Sequence, residues 1–358
     1  MKESSPRLAL VDALRGVASL GVLLAHLVTN EVSKDTLSRV LPTFLREFCF
    51  QGNFGVQVFF VLSGFVIALS LSQKPLTWPQ AANFILRRQI RLDLPYFVAM
   101  AGLVWLHAAF GRGWPDFKTV ALNLVYVHNL VGAPQLLGVA WTLCLEIQFY
   151  AAFLVVLALG RWLGKSCESP VSILSVHLVW ISALVSCFLV QIGTPPQLYA
   201  LGSHSWFYFA AGALCFWAWR GQAPLWMLGI VVFGMNLSAL WAFFAREASF
   251  VSASFEGIET AVVTTLLLFI GAQRGWIETL SLGKIGQGLG RISYSLYLTH
   301  AFSIEGVMWL TRAIWGATSR GALIGFVLAL PLSILAAWTF YLAVEAPSLR
   351  LAARFKRA

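Results

Sequence analysis

The chain of 358 residues is 59% hydrophobic and 11% charged, with a mean hydropathy of +0.77. A water-soluble protein carries about 25% charged residues, so a soluble globular or disordered chain is excluded and the lipid bilayer becomes the relevant solvent. The net charge of +10 is spread between apolar runs rather than gathered on one face, which excludes a nucleic-acid surface and fits cytoplasmic loops rich in Lys and Arg.

Apolar runs of roughly 20 residues recur along the whole chain, each long enough to cross a hydrocarbon layer of ~30 Å as a helix. They predict an all-α fold, a polytopic transmembrane bundle of about ten spans. The spans fall near 15–31, 53–73, 92–111, 139–160, 171–192, 204–219, 224–244, 254–272, 292–311 and 322–344. The opening MKESSPRLALVDALRG is followed by no small-x-small cleavage site, so the first apolar run is read as a helix and not as a signal peptide. With both termini cytoplasmic, about two-thirds of the 25 Lys and Arg fall on the inner side, as the positive-inside rule expects. The segment 117–138 is short and holds Asn123, His128 and Asn129, so it is read as re-entrant or amphipathic on the outer side, tolerable only if packed against protein. No loop is long enough for a soluble domain, and residues 1–358 are read as one integral-membrane domain with its core over about 10–350. The five cysteines show no CxxC pairing and no metal-ligand spacing, so no metal is expected.

In chain order, the first residues with chemistry are Arg15 and His26, eleven positions apart on the first span. At ~1.5 Å per residue they lie about 16 Å apart along the axis. Arg15 can reach the headgroups, whereas His26 needs a polar partner or a water-filled cavity. Ser63 adds a hydroxyl to the second span. FILRRQIRLDLP then supplies Arg87, Arg88 and Arg91, the last two sharing a helix face that can fork onto a polyphosphate; ordinary positive-inside decoration explains them equally well. Glu146, in WTLCLEIQFY, lies about 10 Å inside its span, the depth of His26 from its own outer end, so the two are expected to pair. RISYSLYLTHAF brings His300, with Tyr297 among the hydroxyls around it, as a structural or a chemical histidine. Glu345, near the last inner face, reads as an interfacial ion-pair residue.

Taken together, RG-x9-H, FGVQVFFVLSGF, RR-x-x-R-x-x-x-P, WTL-x-x-E-x-QFY, SYSLYLTH and the closing E-x-P resemble the acyltransferase 3 family of membrane acyltransferases, in the family's order and over about 15–350. The resemblance implies transfer of an acyl group, usually acetyl from acetyl-CoA, to a hydroxyl of a surface glycan, a peptidoglycan sugar or a secreted small molecule, at the inner (plasma) membrane. It implies Arg15 and His26 as the signature pair and Arg88 with Arg91 as contacts for coenzyme A. Some relatives carry a fused extracytoplasmic domain that this chain is expected to lack. Asp93 stands where the family is commonly apolar or aromatic, which would put an anion beside the phosphate site.

Acyl transfer to an alcohol needs a base or an acyl carrier, and an imidazole can serve as either. His26 is assigned that part, with Glu146 orienting its ring. A proton-coupled transporter, or a non-catalytic partner in glycan assembly, would also use intramembrane His and Glu.

Overall fold

A computed structural model describes residues 8–72, 77–109, 113–164, 171–192, 201–245 and 254–355. The regular structure of the described residues is helical, with no strand among them. The helices are α1 (Ala9–Thr29), α2 (Lys34–Val40), α3 (Thr43–Phe50), α4 (Gly55–Leu71), α5 (Trp78–Ala109), α6 (Phe117–Leu124), α7 (Ala140–Gly164) and α8 (Ile173–Ile192). They continue with α9 (Trp206–Trp219), α10 (Leu225–Ala245), α11 (Phe255–Gln273), α12 (Trp276–Thr279), α13 (Gly283–Trp315), α14 (Ser319–Phe340) and α15 (Ala346–Arg354). Among the described residues, seven stretches are long and apolar enough to cross a membrane, which makes this a multi-pass membrane protein.

Each expected span overlaps a helix, and the departures at three of these helices and in the 117–138 segment have physical reasons. α1 starts at Ala9, six residues ahead of the expected boundary, because Ala9, Leu10, Val11 and Ala13 are buried. Arg15 is therefore half-buried within the helix and not at its entrance. α9 has 14 residues, about 21 Å, too short for a membrane-spanning length. Phe207 to Trp217 are all buried, so α9 is apolar on every side because it is a core helix. α13 has 33 residues and ample length, but its middle is too polar to stand among the seven. α6 has 8 residues, about 12 Å, and cannot span, in keeping with a packed re-entrant or amphipathic segment.

The chain divides into two compact units. The first comprises Met1–Arg15, Val56–Ala81 and Thr142–Gln287. In it α8, α9, α10 and α11 pack on one another. α4 crosses α9 backbone to backbone: a Cβ on Gly64 would fall on the carbonyl of Phe209, and one on Gly212 on the carbonyl of Val61. Such an approach is the work small residues do in membranes. Around it Phe149 stacks on Phe209 at 4.2 Å and Phe153 on Trp217 at 5.6 Å between ring centroids. The Trp217 indole donates to Ser72 Oγ at 3.0 Å, giving its buried N–H a partner.

The second unit comprises Gly16–Gly55, Ala82–Trp141 and Gly288–Ala358. Its core joins Leu23 and Leu27 of α1, Leu37 of α2, Ile292, Leu296, Ile304 and Met308 of α13, and Ala322, Ala329 and Ala337 of α14. Small residues on α14 let α13 come close; a Cβ on Gly325 would meet Thr311 Oγ1 at 2.7 Å and Met308 Sδ at 2.8 Å. The polar residues of 117–138 are accommodated by packing. Asn123 is fully buried, donates to the carbonyls of Thr119 and Pro134 at 2.9 Å each, and accepts from Leu136 N–H at 3.1 Å.

Candidate functional site

The periodicity of α13 explains where His300 sits. Ile292, Leu296, His300, Ile304 and Met308 recur every four residues and none is more than 2% exposed, so His300 occupies the middle of an apolar core stripe. His26 lies between Leu23 and Leu27, which belong to the same core. The two rings meet edge to face, with centroids 4.8 Å apart and planes at 72°. Each imidazole is held by its own helix: His26 Nδ1 lies 2.9 Å from Val22 O and His300 Nδ1 lies 3.0 Å from Leu296 O. A carbonyl only accepts, so both Nδ1 atoms carry the proton and both Nε2 atoms present a lone pair. His26 retains partial access, whereas His300 is 1% exposed.

The hydroxyls expected around His300 are engaged along α13. Thr299 Oγ1 donates to Ser295 O at 2.8 Å and Ser303 Oγ to Thr299 O at 3.1 Å. The Tyr297 ring is 6.0 Å from His300, and its hydroxyl donates to Val139 O at 3.4 Å. Below this layer Glu345, 2% exposed and in the π-helical turn Tyr341–Glu345, accepts from Ser295 N–H at 3.1 Å and Ser295 Oγ at 2.5 Å. It thereby fixes α13 about one turn from His300.

Arg87, Arg88 and Arg91 are half-buried on α5. Phe84, Arg88, Leu92 and Tyr96 form a stripe at four-residue spacing whose three non-arginine members are buried, while Ile85 and Leu86 are exposed. The Arg88 guanidinium lies over the Phe84 ring, 5.5 Å from its centroid, and Arg87 Nε donates to Asn83 O at 3.2 Å. Arg88 therefore faces inward, unlike a solvated loop charge. Pro95 inside α5 removes the N–H that would reach the Arg91 carbonyl, and Tyr294 of α13 donates to the neighbouring Leu92 carbonyl at 2.8 Å. Asp93 is turned about 140° from Arg88 around the helix. Its Oδ1 accepts from Tyr126 Oη at 2.9 Å, so the side chain is engaged with the 113–139 segment and not with the arginine face.

In the first unit Glu146 Oε1 accepts from Ser63 Oγ at 2.8 Å and from the Tyr150 hydroxyl, one turn along α7. The structure thus unites two residues that the sequence nominated separately, Ser63 and Glu146, and adds Tyr150 of the same WTL-x-x-E-x-QFY motif. Glu146 belongs to the first unit and His26 to the second. The nitrogen of His26 that a carboxylate would orient is taken by Val22 O. Arg15 closes the first unit's share of α1.

A family model for the acyltransferase domain matches residues 8–342, almost the whole chain and every residue discussed above except Glu345. The chain belongs to the acyltransferase 3 family. It is a membrane acyltransferase. Among curated relatives, a putative peptidoglycan O-acetyltransferase, YrhL of Bacillus subtilis (strain 168), is 26% identical over 53% of this chain. That match takes in 30% of the relative's own length. The exopolysaccharide production protein ExoZ of Rhizobium meliloti (strain 1021) is 28% identical over 84% of this chain and 90% of its own. The acyltransferase MdmB of Streptomyces mycarofaciens is 23% identical over 97% and 93%. No solved structure matches the chain.

Proposed function

We propose that this acyltransferase 3 protein moves an acetyl group from cytosolic acetyl-CoA to a hydroxyl of a surface polysaccharide or another extracytoplasmic glycan, in the inner (plasma) membrane. The observation that carries the reading is the bond from His26 Nδ1 to Val22 O, which leaves Nε2 of a partly accessible intramembrane imidazole as a base. The names of ExoZ and YrhL, an exopolysaccharide production protein and a putative peptidoglycan O-acetyltransferase, support a glycan acceptor.

In this scheme Nε2 takes the proton of the acceptor hydroxyl as its oxygen attacks the thioester carbonyl. The tetrahedral adduct collapses, the C–S bond breaks, and the imidazolium returns the proton to the leaving thiolate. The products are an O-acetyl ester and coenzyme A thiol. Arg88 and Arg91, with Arg87 beside them, hold the phosphates of the donor, since half-buried guanidinium groups suit forked contacts to phosphate. Arg15 and Glu146 are assigned to the catalytic apparatus as well, Glu146 through the carboxylate that Ser63 and Tyr150 hold.

The test compares cells making the native chain with cells making His26→Ala at equal protein level. Ester-linked acetyl released by mild base from envelopes and spent medium is measured in both. Loss of a defined ester in the variant is the expected result, and its fraction names the acceptor. Equal ester in both strains would turn the assignment toward transport or glycan assembly.

A further inference from the structure

His300 Nε2 is buried and has no hydrogen-bond partner among the described residues. Buried polar atoms are rarely left so, and an orphan beside the imidazole of His26 calls for a partner. The nitrogen is an acceptor, because its ring proton is on Nδ1 and directed at Leu296 O, 3.0 Å away. The protein groups around it do not complete it. His26 is the same tautomer, so its Nε2 is also an acceptor and two acceptors cannot bond each other. The hydroxyl protons of Tyr297, Thr299 and Ser303 are directed at backbone carbonyls. Nor can His300 pass a proton onward, since its far nitrogen ends on a carbonyl.

Two lone pairs therefore stand on two imidazoles whose centroids are 4.8 Å apart. One hydroxyl has one proton and satisfies one of them. An acceptor with two hydroxyls on adjacent carbons satisfies both, one proton going to each ring. We propose that His300 is a substrate-positioning residue whose Nε2 accepts a hydrogen bond from the hydroxyl next to the one that His26 deprotonates, so that the acceptor is a vicinal diol of a sugar. This rests on the reading of His26 as the base. As His26 becomes cationic, a second cation in ring contact is disfavoured, so His300 stays neutral and keeps its grip on the neighbouring hydroxyl through the transfer.

The experiment replaces His300 by Gln and by Asn, because a Gln amide oxygen can reach the place of Nε2 whereas an Asn amide can reach only that of Nδ1. Base-labile acetyl ester per envelope is measured at equal membrane level, beside the native chain and His26→Ala. The expected result is that His300→Gln keeps most of the ester while His300→Asn loses about tenfold, the worth of one buried hydrogen bond. The reverse order, equal activity in both, or equal loss in both overturns the proposal. Ester surviving in His26→Ala would instead refute the base assignment, whatever the two His300 variants do. A second measurement needs no variant: NMR of the native product should place the acetyl on a sugar carbon whose neighbour carries a free hydroxyl. An ester flanked only by linked, deoxy or amino carbons overturns the proposal.

Discussion

The edge of one imidazole meets the face of another where His26 and His300 touch, 4.8 Å between centroids, inside a core otherwise made of Leu, Ile, Met and Ala. Burying two polar rings in such a setting costs free energy unless they are bonded, and each helix meets part of that cost with one of its own carbonyls. What remains is a pair of basic nitrogens with no proton between them, in a protein whose family moves acyl groups.

The arginines of α5 give a kinetic prediction. Replacing Arg88 and Arg91 together by Ala should raise KM for acetyl-CoA by about tenfold or more while kcat changes little, because a charge-assisted phosphate contact that acts on binding alone is lost from both ground and transition state. Arg88→Lys should recover only part, since an ammonium does not fork onto phosphate and lacks the planar group that the guanidinium places over Phe84. Thiol release from membranes measures both. An unchanged KM in the double variant would make the arginines a topology signal only.

Glu146 gives a prediction about its donors. Ser63→Ala and Tyr150→Phe each remove one hydroxyl from Oε1. A hydrogen bond to a charged group contributes about 1.5–3 kcal/mol, so each change should lower the transfer rate by roughly tenfold or more if the held carboxylate acts in catalysis. Glu146→Gln should be more damaging than either. Rates at saturating acetyl-CoA in membranes with equal protein decide it, and native rates in all three variants would remove Glu146 from the catalytic apparatus.

Some of this was legible in the chain and some was not. Hydropathy gave the membrane helices, because apolar length is a property of each segment alone. It did not give the two short helices over 34–50, where polar and apolar residues mix and Leu37 is recruited to the core only through its neighbours. The need of His26 for a polar partner was plain from its depth in the first span, and the sequence nominated Glu146 at a similar depth. Depth fixes height in the bilayer and says nothing of which way a side chain faces. The overlooked signal lay in α13, where His300 interrupts a run of Ile292, Leu296, Ile304 and Met308 at four-residue spacing and so must face the core. The Val22 carbonyl could not be read at all, because every residue has one.

The crossing of α4 and α9 gives a prediction about folding. A side chain at Gly64 or Gly212 drives atoms into a facing backbone carbonyl that cannot move aside as a rotamer can. Gly64→Val should therefore cost at least the 1–3 kcal/mol typical of overpacking, seen as a lower midpoint of thermal unfolding in detergent and less protein in the membrane. A midpoint equal to that of the native protein would contradict the close crossing.

The most direct test of the central claim follows the acetyl group itself. Membrane vesicles containing the native chain or His26→Ala are given acetyl-CoA labelled in the acetyl carbon, and label is counted in the base-labile ester of the glycan fraction. The account predicts label in the native vesicles and a fall of about a hundredfold or more in the variant, the range lost with a general base. Equal labelling in both would show that His26 is not the group through which transfer runs.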